Sequence, residues 1–229
     1  MRNNAEWCDA VCAAYGIVGT FHEHVWACES RTPPLYPDAV TLDRVASAAD
    51  ALEHVETSTP GCSVKDSYSA LDLGRAGFRV LFDATWIALT TTTPGSSVPD
   101  RWSRVTDTDA LDRWRRASDR DLADALLDNV DILVLAERTS DNEIVAGGVL
   151  NCDDTVVGIS NVFAVDHDLD RVWTACLALA AGSFPGLPVV GYEAGAPLAS
   201  ACRHGFEALG QLRVWIDDRL SRSTAEPRR

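Results

Sequence analysis

From residue 102 onward the apolar positions recur at two periods by turns, one suited to strands and one to helices, which predicts an alternating α/β chain. Trp102 to Thr106 predicts a strand. Asp107 to Ala117, with Leu111 and Trp114 on one face behind a capping Thr or Asp, predicts a helix, and a short helix follows around Leu122 to Leu127. Asp131 to Ala136 and Ile144 to Leu150 flank the polar turn Thr139-Ser140-Asp141-Asn142 and predict a hairpin. Val156 to Val165 is apolar and β-rich enough for a central strand. Leu169 to Ala181 then sets Val172, Cys176, Leu177 and Leu179 on the core side of a helix. Leu187 to Tyr192 predicts a strand, Ala196 to His204 a helix and Leu212 to Ile216 a closing strand.

The first ninety residues are less regular. Helical patterns run over Ala5 to Tyr15 and Leu42 to Val55, and strand patterns over Val25 to Cys28 and Phe78 to Leu89. Arg31-Thr32-Pro33-Pro34-Leu35-Tyr36-Pro37-Asp38 predicts a proline-stiffened loop, and Thr90 to Asp100 a polar connection. The expected division is a half-domain over residues 1–93, a linker over 94–101, a domain over 102–217 and a frayed basic tail over 218–229. A short signature links the halves: Arg75-Ala76-Gly77-Phe78, with Trp86-Ile87 downstream, echoes Arg203-His204-Gly205-Phe206 with Trp215-Ile216. A helix stopped by glycine, a Phe tucked beneath it and a strand closed by Trp-Ile explain both copies. The expectation is a pseudo-dimer of two related halves.

Composition narrows the function. A chain of 229 residues that is 46% hydrophobic has enough apolar matter for a sizeable core. Acidic residues number 34 against 20 basic, so nucleic acid and anionic membrane surfaces are excluded as expected partners. No leader-like or membrane-spanning apolar run is present, which predicts a cytoplasmic protein. Seven scattered cysteines without metal spacing predict free, mostly buried thiols, with Cys62 in its Pro-Gly loop the one to watch for reactivity. His22 and His24 share one face of a short extended stretch, but no third metal ligand accompanies them and no metal is expected.

The order from Trp102 resembles the GNAT superfamily of N-acyltransferases, carried by Val145-Ala146-Gly147-Gly148-Val149-Leu150, by Val156 to Val165, and by Gly205-Phe206-Glu207-Ala208-Leu209-Gly210. That resemblance implies an α/β fold with a mixed central sheet flanked by helices. It also implies an acyltransferase acting on a small metabolite, an amine, with acetyl-CoA or another acyl-CoA as donor. It places Tyr192, Glu193 and Asn161 in catalytic roles, Ser160 with the substrate, and Phe163, Val165 and Leu169 along the cofactor. By analogy of position, Lys65, Asp66 and Tyr68 belong to the matching opening of the first half and to substrate binding. One departure stands out. GNAT enzymes hold the CoA diphosphate on a glycine-rich turn at a helix N-terminus, whereas here the turn reads Asp166-His167-Asp168-Leu169-Asp170. The residues therefore leave three readings open: a CoA-dependent acyltransferase, a GNAT-fold enzyme that has lost CoA and does other small-molecule chemistry, and a noncatalytic binding or scaffold protein. A homodimer is left open as well.

Overall fold

The computed structural model describes residues 1–90 and 98–218. The chain forms two compact units, Met1–Ala84 with Gly210–Arg229, and Thr85–Leu209. The expected linker therefore falls partly on residues outside the described range, as does nearly all of the tail.

In the first unit, helix α1 (Arg2–Ala14) precedes a meander of β1 (Gly19–Phe21), β2 (Val25–Cys28) and β3 (Ala39–Thr41), whose neighbours are antiparallel. The short helix α2 (Ala48–Glu53) then crosses to β4 (Ser63–Asp66), which lies parallel to β3. A helix over Leu42 to Val55 is not formed in full. The Asp43 carboxylate accepts the Val45 and Ala46 amides at 3.0 and 3.1 Å, so those amides are committed to a turn, and α2 begins behind its Ser47–Asp50 capping box.

In the second unit, β6 (Trp102–Arg104), α3 (Thr108–Ser118) and a 3-10 turn lead into the meander β7 (Ile132–Arg138), β8 (Ile144–Cys152) and β9 (Val157–Ala164). Helix α4 (Leu169–Ser183) crosses to β10 (Val189–Glu193), parallel to β9, and α5 (Gly195–Arg203) follows. The same order of meander, crossover helix, parallel strand, short helical turn and long strand thus occurs twice along the chain. The two long strands are β5 (Phe78–Leu89) and β11 (Glu207–Asp217). The shared signature has the geometry expected of it: Gly77 and Gly205 are left-handed at φ 92 and 90, and Phe78 and Phe206 are buried directly after them.

Each unit takes one strand from the other half of the sequence. Residues 85–89 of β5 pair antiparallel with β10, while Arg213 to Ile216 of β11 pair antiparallel with β4. The second core gathers Ile87, Leu135, Leu150, Ile159, Trp173 and Phe206. The first gathers Val25, Val64, Leu73 and Phe78 with Trp215, which arrives from the far end of the chain. Truncation after Leu209 should therefore unfold the first unit, because it strips β4 of its ladder partner and the core of Trp215. Hydrogen exchange at Val25–Cys28 reads this directly, and protection retained there would contradict the strand exchange.

Candidate active site

Two local features open a gap in the second unit's sheet. Strands β9 and β10 are registered only at Val157–Val189 and Gly158–Val190. Gly191 marks the last close approach, since a Cβ there would lie 2.9 Å from the Ile159 carbonyl oxygen. Past this point β10 continues on β5 and β9 on β8, so the two strands part. The second feature is a bulge. Gly147 faces Phe163 and Val149 faces Ser160, so Asn161 and Val162 together oppose Gly148, and Asn161 is left-handed at φ 54. Bulges bend a strand and re-aim its side chains.

Ser160 and Asn161 of β9 and Tyr192 and Glu193 of β10 all lie beyond the last registered pair, where the two strands have parted. Asn161 donates from Nδ2 to Ser160 Oγ at 3.2 Å, which uses the polar pair on itself while leaving the Asn161 carbonyl oxygen outside that bond. Successive strand residues leave on opposite faces, so Tyr192 and Glu193 diverge. Tyr192 packs edge-on against Trp86 with ring centroids 5.4 Å apart.

Glu193 is half-buried and finds no hydrogen-bond donor among the described residues. Burial raises its carboxyl from an ordinary 4.5 to about 7, with Arg120 drawing it partly back. A carboxyl poised near neutrality suits proton transfer. Neither Arg120 nor Trp86 stands near Glu193 in the sequence, and no local pattern marks either of them as part of a site.

The residues expected along the cofactor divide three ways. Phe163 is buried edge-on against Trp114, with centroids 5.3 Å apart, Val165 is exposed, and Leu169 packs partly against the second core.

The first-half candidates lie in the first unit and are tied to its framework. The Lys65 ammonium donates to Asn4 Oδ1 at 2.8 Å. Asp66, 1% exposed, accepts the Tyr68 and Leu71 amides at 3.2 and 2.7 Å, closing the turn after β4. The Tyr68 hydroxyl donates to the Leu42 carbonyl at 3.0 Å. Cys62 is corrected by the structure: it is fully buried near Asp38, and its thiol is pushed up to about 12 by burial, which suppresses the reactive thiolate. The two neighbouring histidines take separate partners, His22 stacking on His54 at 3.7 Å and His24 bonding Asp43 at 2.8 Å. No group of three residues suited to a metal occurs among the described residues.

The turn between β9 and α4, where the resemblance places a CoA diphosphate, does not fit that group. Its amides are already filled from within: Asp168 N–H donates to Asp166 Oδ1 at 3.2 Å, Leu169 N–H to the His167 carbonyl at 3.1 Å, and Asp170 N–H to Asp168 Oδ1 at 3.2 Å. The carboxylates thus stand where phosphate oxygens would have to sit. Arg171 ties Asp166 at 2.7 Å to Glu137 at 2.8 Å, while Ser200 and Arg203 hold Asp170. Those contacts keep Asp166 and Asp170 below the usual carboxylate range, through Arg171 for the first and through Ser200, then Arg203, for the second. The equivalent turn of the first unit is filled in the same manner by Asp43 and Asp50. Calorimetry with CoA should accordingly show no tight binding. Tight binding lost on Asp168→Gly with Asp170→Gly would make this turn a working phosphate site.

No family model and no curated protein matches the sequence. Solved structures do match the fold. A GCN5-related N-acetyltransferase from Kribbella flavida is 13% identical over 93% of this chain and 95% of its own, with a TM-score of 0.59. An acetyltransferase of the GNAT family from Novosphingobium aromaticivorans is 13% identical over 92% of this chain and 96% of its own, at 0.58. N-myristoyltransferase of Saccharomyces cerevisiae with bound myristoyl-CoA is 6% identical over 69% of this chain and 51% of its own, at 0.52. Among the described residues no helix is long and apolar enough to cross a membrane.

Proposed function

We propose, for a chain that carries the GNAT N-acyltransferase fold, that its second unit transfers an acyl group to the amine of a small molecule, with Glu193 as the base. The observation that carries this reading is the Glu193 carboxyl, raised to about 7 at the parted ends of β9 and β10. At neutral pH a good fraction of such a carboxyl is ionised, yet it is basic enough to take a proton from an ammonium group. The amine so freed attacks the acyl carbonyl. The new C–N bond forms as the C–S bond to the leaving thiolate breaks, the second nitrogen proton passes to that thiolate, which leaves as the thiol, and the proton held on Glu193 is passed to solvent. The excess of 34 acidic over 20 basic residues favours the approach of a cationic amine.

The donor is an activated acyl group, a thioester by analogy with the fold, whose nucleotide diphosphate, if it has one, finds nothing to hold it at the β9–α4 turn. That filled turn also favours a second reading, in which the chain has left acyl transfer for other small-molecule chemistry at the same carboxyl. An assay of an amine panel with acetyl-CoA and with the acetyl thioester of N-acetylcysteamine separates these readings. The proposal expects acetylated amine from both donors with similar efficiency, since the nucleotide half contributes little binding. Absence of product from either donor would end the acyl-transfer reading, and a large preference for acetyl-CoA would overturn the account of the turn.

A further inference from the structure

Of the fifteen arginines among the described residues, seven are paired with carboxylates. Arg115 meets Asp112 and Asp124 at 2.6 Å each, Arg171 meets Glu137 and Asp166, and Arg213 meets Asp83 at 2.7 Å. Arg101 and Arg138 are two of the other eight, and they occur side by side. The β6–β7 ladder ends at Trp102 opposite Glu137, and the Arg138 amide donates to the Arg101 carbonyl at 2.9 Å, which holds the two residues side by side. Among the described residues neither guanidinium makes an ion pair, and Arg138 makes only a 3.2 Å bond to Asn142 Oδ1. The nearest carboxylate along β7, Glu137, is already taken by Arg171. Arg101 directly precedes β6 and Arg138 ends β7, so two cationic residues stand beside each other at the end of the ladder.

The pair lines a cavity of about 260 Å³ whose other walls are Asp100, Ser103, Thr139 and Ser140. Two guanidinium groups supply fixed, charged donors, and the three hydroxyls supply adaptable ones. Thr139 Oγ1 accepts from the Glu143 amide, which leaves its proton to be donated elsewhere. Asp100 is the one acidic wall and opposes an anion, but two cations outweigh it.

We infer that this cavity is a binding site for a phosphate group, either free phosphate or the phosphomonoester of a small metabolite. It lies outside the turn filled by Asp166 and Asp168 and owes nothing to the role of Glu193, so it stands or falls independently of acyl transfer.

Calorimetry and thermal melting of the full chain, with inorganic phosphate and with glycerol 3-phosphate against chloride at matched ionic strength, test the inference. Saturable binding and a raised Tm are expected. Tighter binding of the monoester would mark the metabolite as the source, and equal binding the free ion. Arg101→Gln with Arg138→Gln should weaken binding at least about tenfold, because it removes both charge-assisted donors. Either single change should leave the ligand-free Tm unchanged or raised. Ser140→Asp, which keeps both arginines and gives them a carboxylate, should abolish the phosphate effect and raise the ligand-free Tm. No phosphate effect beyond that of chloride, or an effect that survives in the double variant and in Ser140→Asp, would overturn the inference.

Discussion

Glu193→Gln is expected to lower acyl transfer by about 10²- to 10⁴-fold, the usual range for a lost general base. The amide keeps the shape of the carboxyl and cannot take the proton. The same variant should leave a second trace in stability. A carboxyl raised from 4.5 to about 7 by burial binds more protons folded than unfolded between those values. Stability from this group is therefore full at low pH and is lost as pH rises through that window. Glu193→Gln removes the penalty, so its Tm should exceed that of the natural protein at pH 8 and approach it near pH 4. The proposed acyl transfer by the natural protein should speed up with pH through about 7 as the base ionises. A variant with full activity, or with a stability difference independent of pH, would remove Glu193 from the role given to it.

Trp114→Ala should be the most damaging single truncation, costing about 3–5 kcal/mol as a large buried aromatic. Trp114 is 0% exposed, packs on Phe163, donates from Nε1 to the Leu135 carbonyl at 3.0 Å, and fills the space over Gly147. Its removal leaves a cavity beside the β8–β9 bulge and takes away the indole bond to the Leu135 carbonyl. Trp114→Phe keeps most of the volume and should cost about half as much or less. Urea denaturation read as a change in midpoint checks both. Equal stability of the alanine variant would mean that α3 does not anchor the sheet as described.

The second unit was legible in sequence because its strands and helices are long enough for their periods to show: β7, β8, β9 and α4 stand within a few residues of where the apolar pattern puts them. The repeat was legible through Gly77-Phe78 and Gly205-Phe206, since a left-handed turn restricts residue choice. What sequence could not show was pairing at a distance. Strand β4 takes β11 as a neighbour some 150 residues away in the chain, Lys65 opposite Val214 in register, and nothing local specifies that choice. The apolar period over Leu42 to Val55 was real, but the Asp43 carboxylate competed for the amides that a longer helix needs. Glu193 was visible as a carboxylate at a strand end. Its raised affinity for protons came from burial, which outweighs the opposing pull of Arg120, and both are products of the fold.

The most direct measurement is an NMR titration of the Glu193 side-chain carboxyl in the full-length protein, assigned by comparison with Glu193→Gln. A midpoint of about 7 is expected. A midpoint at the ordinary glutamate value near 4.5 would contradict it, since the carboxyl would then lack the raised proton affinity that singles it out as the base.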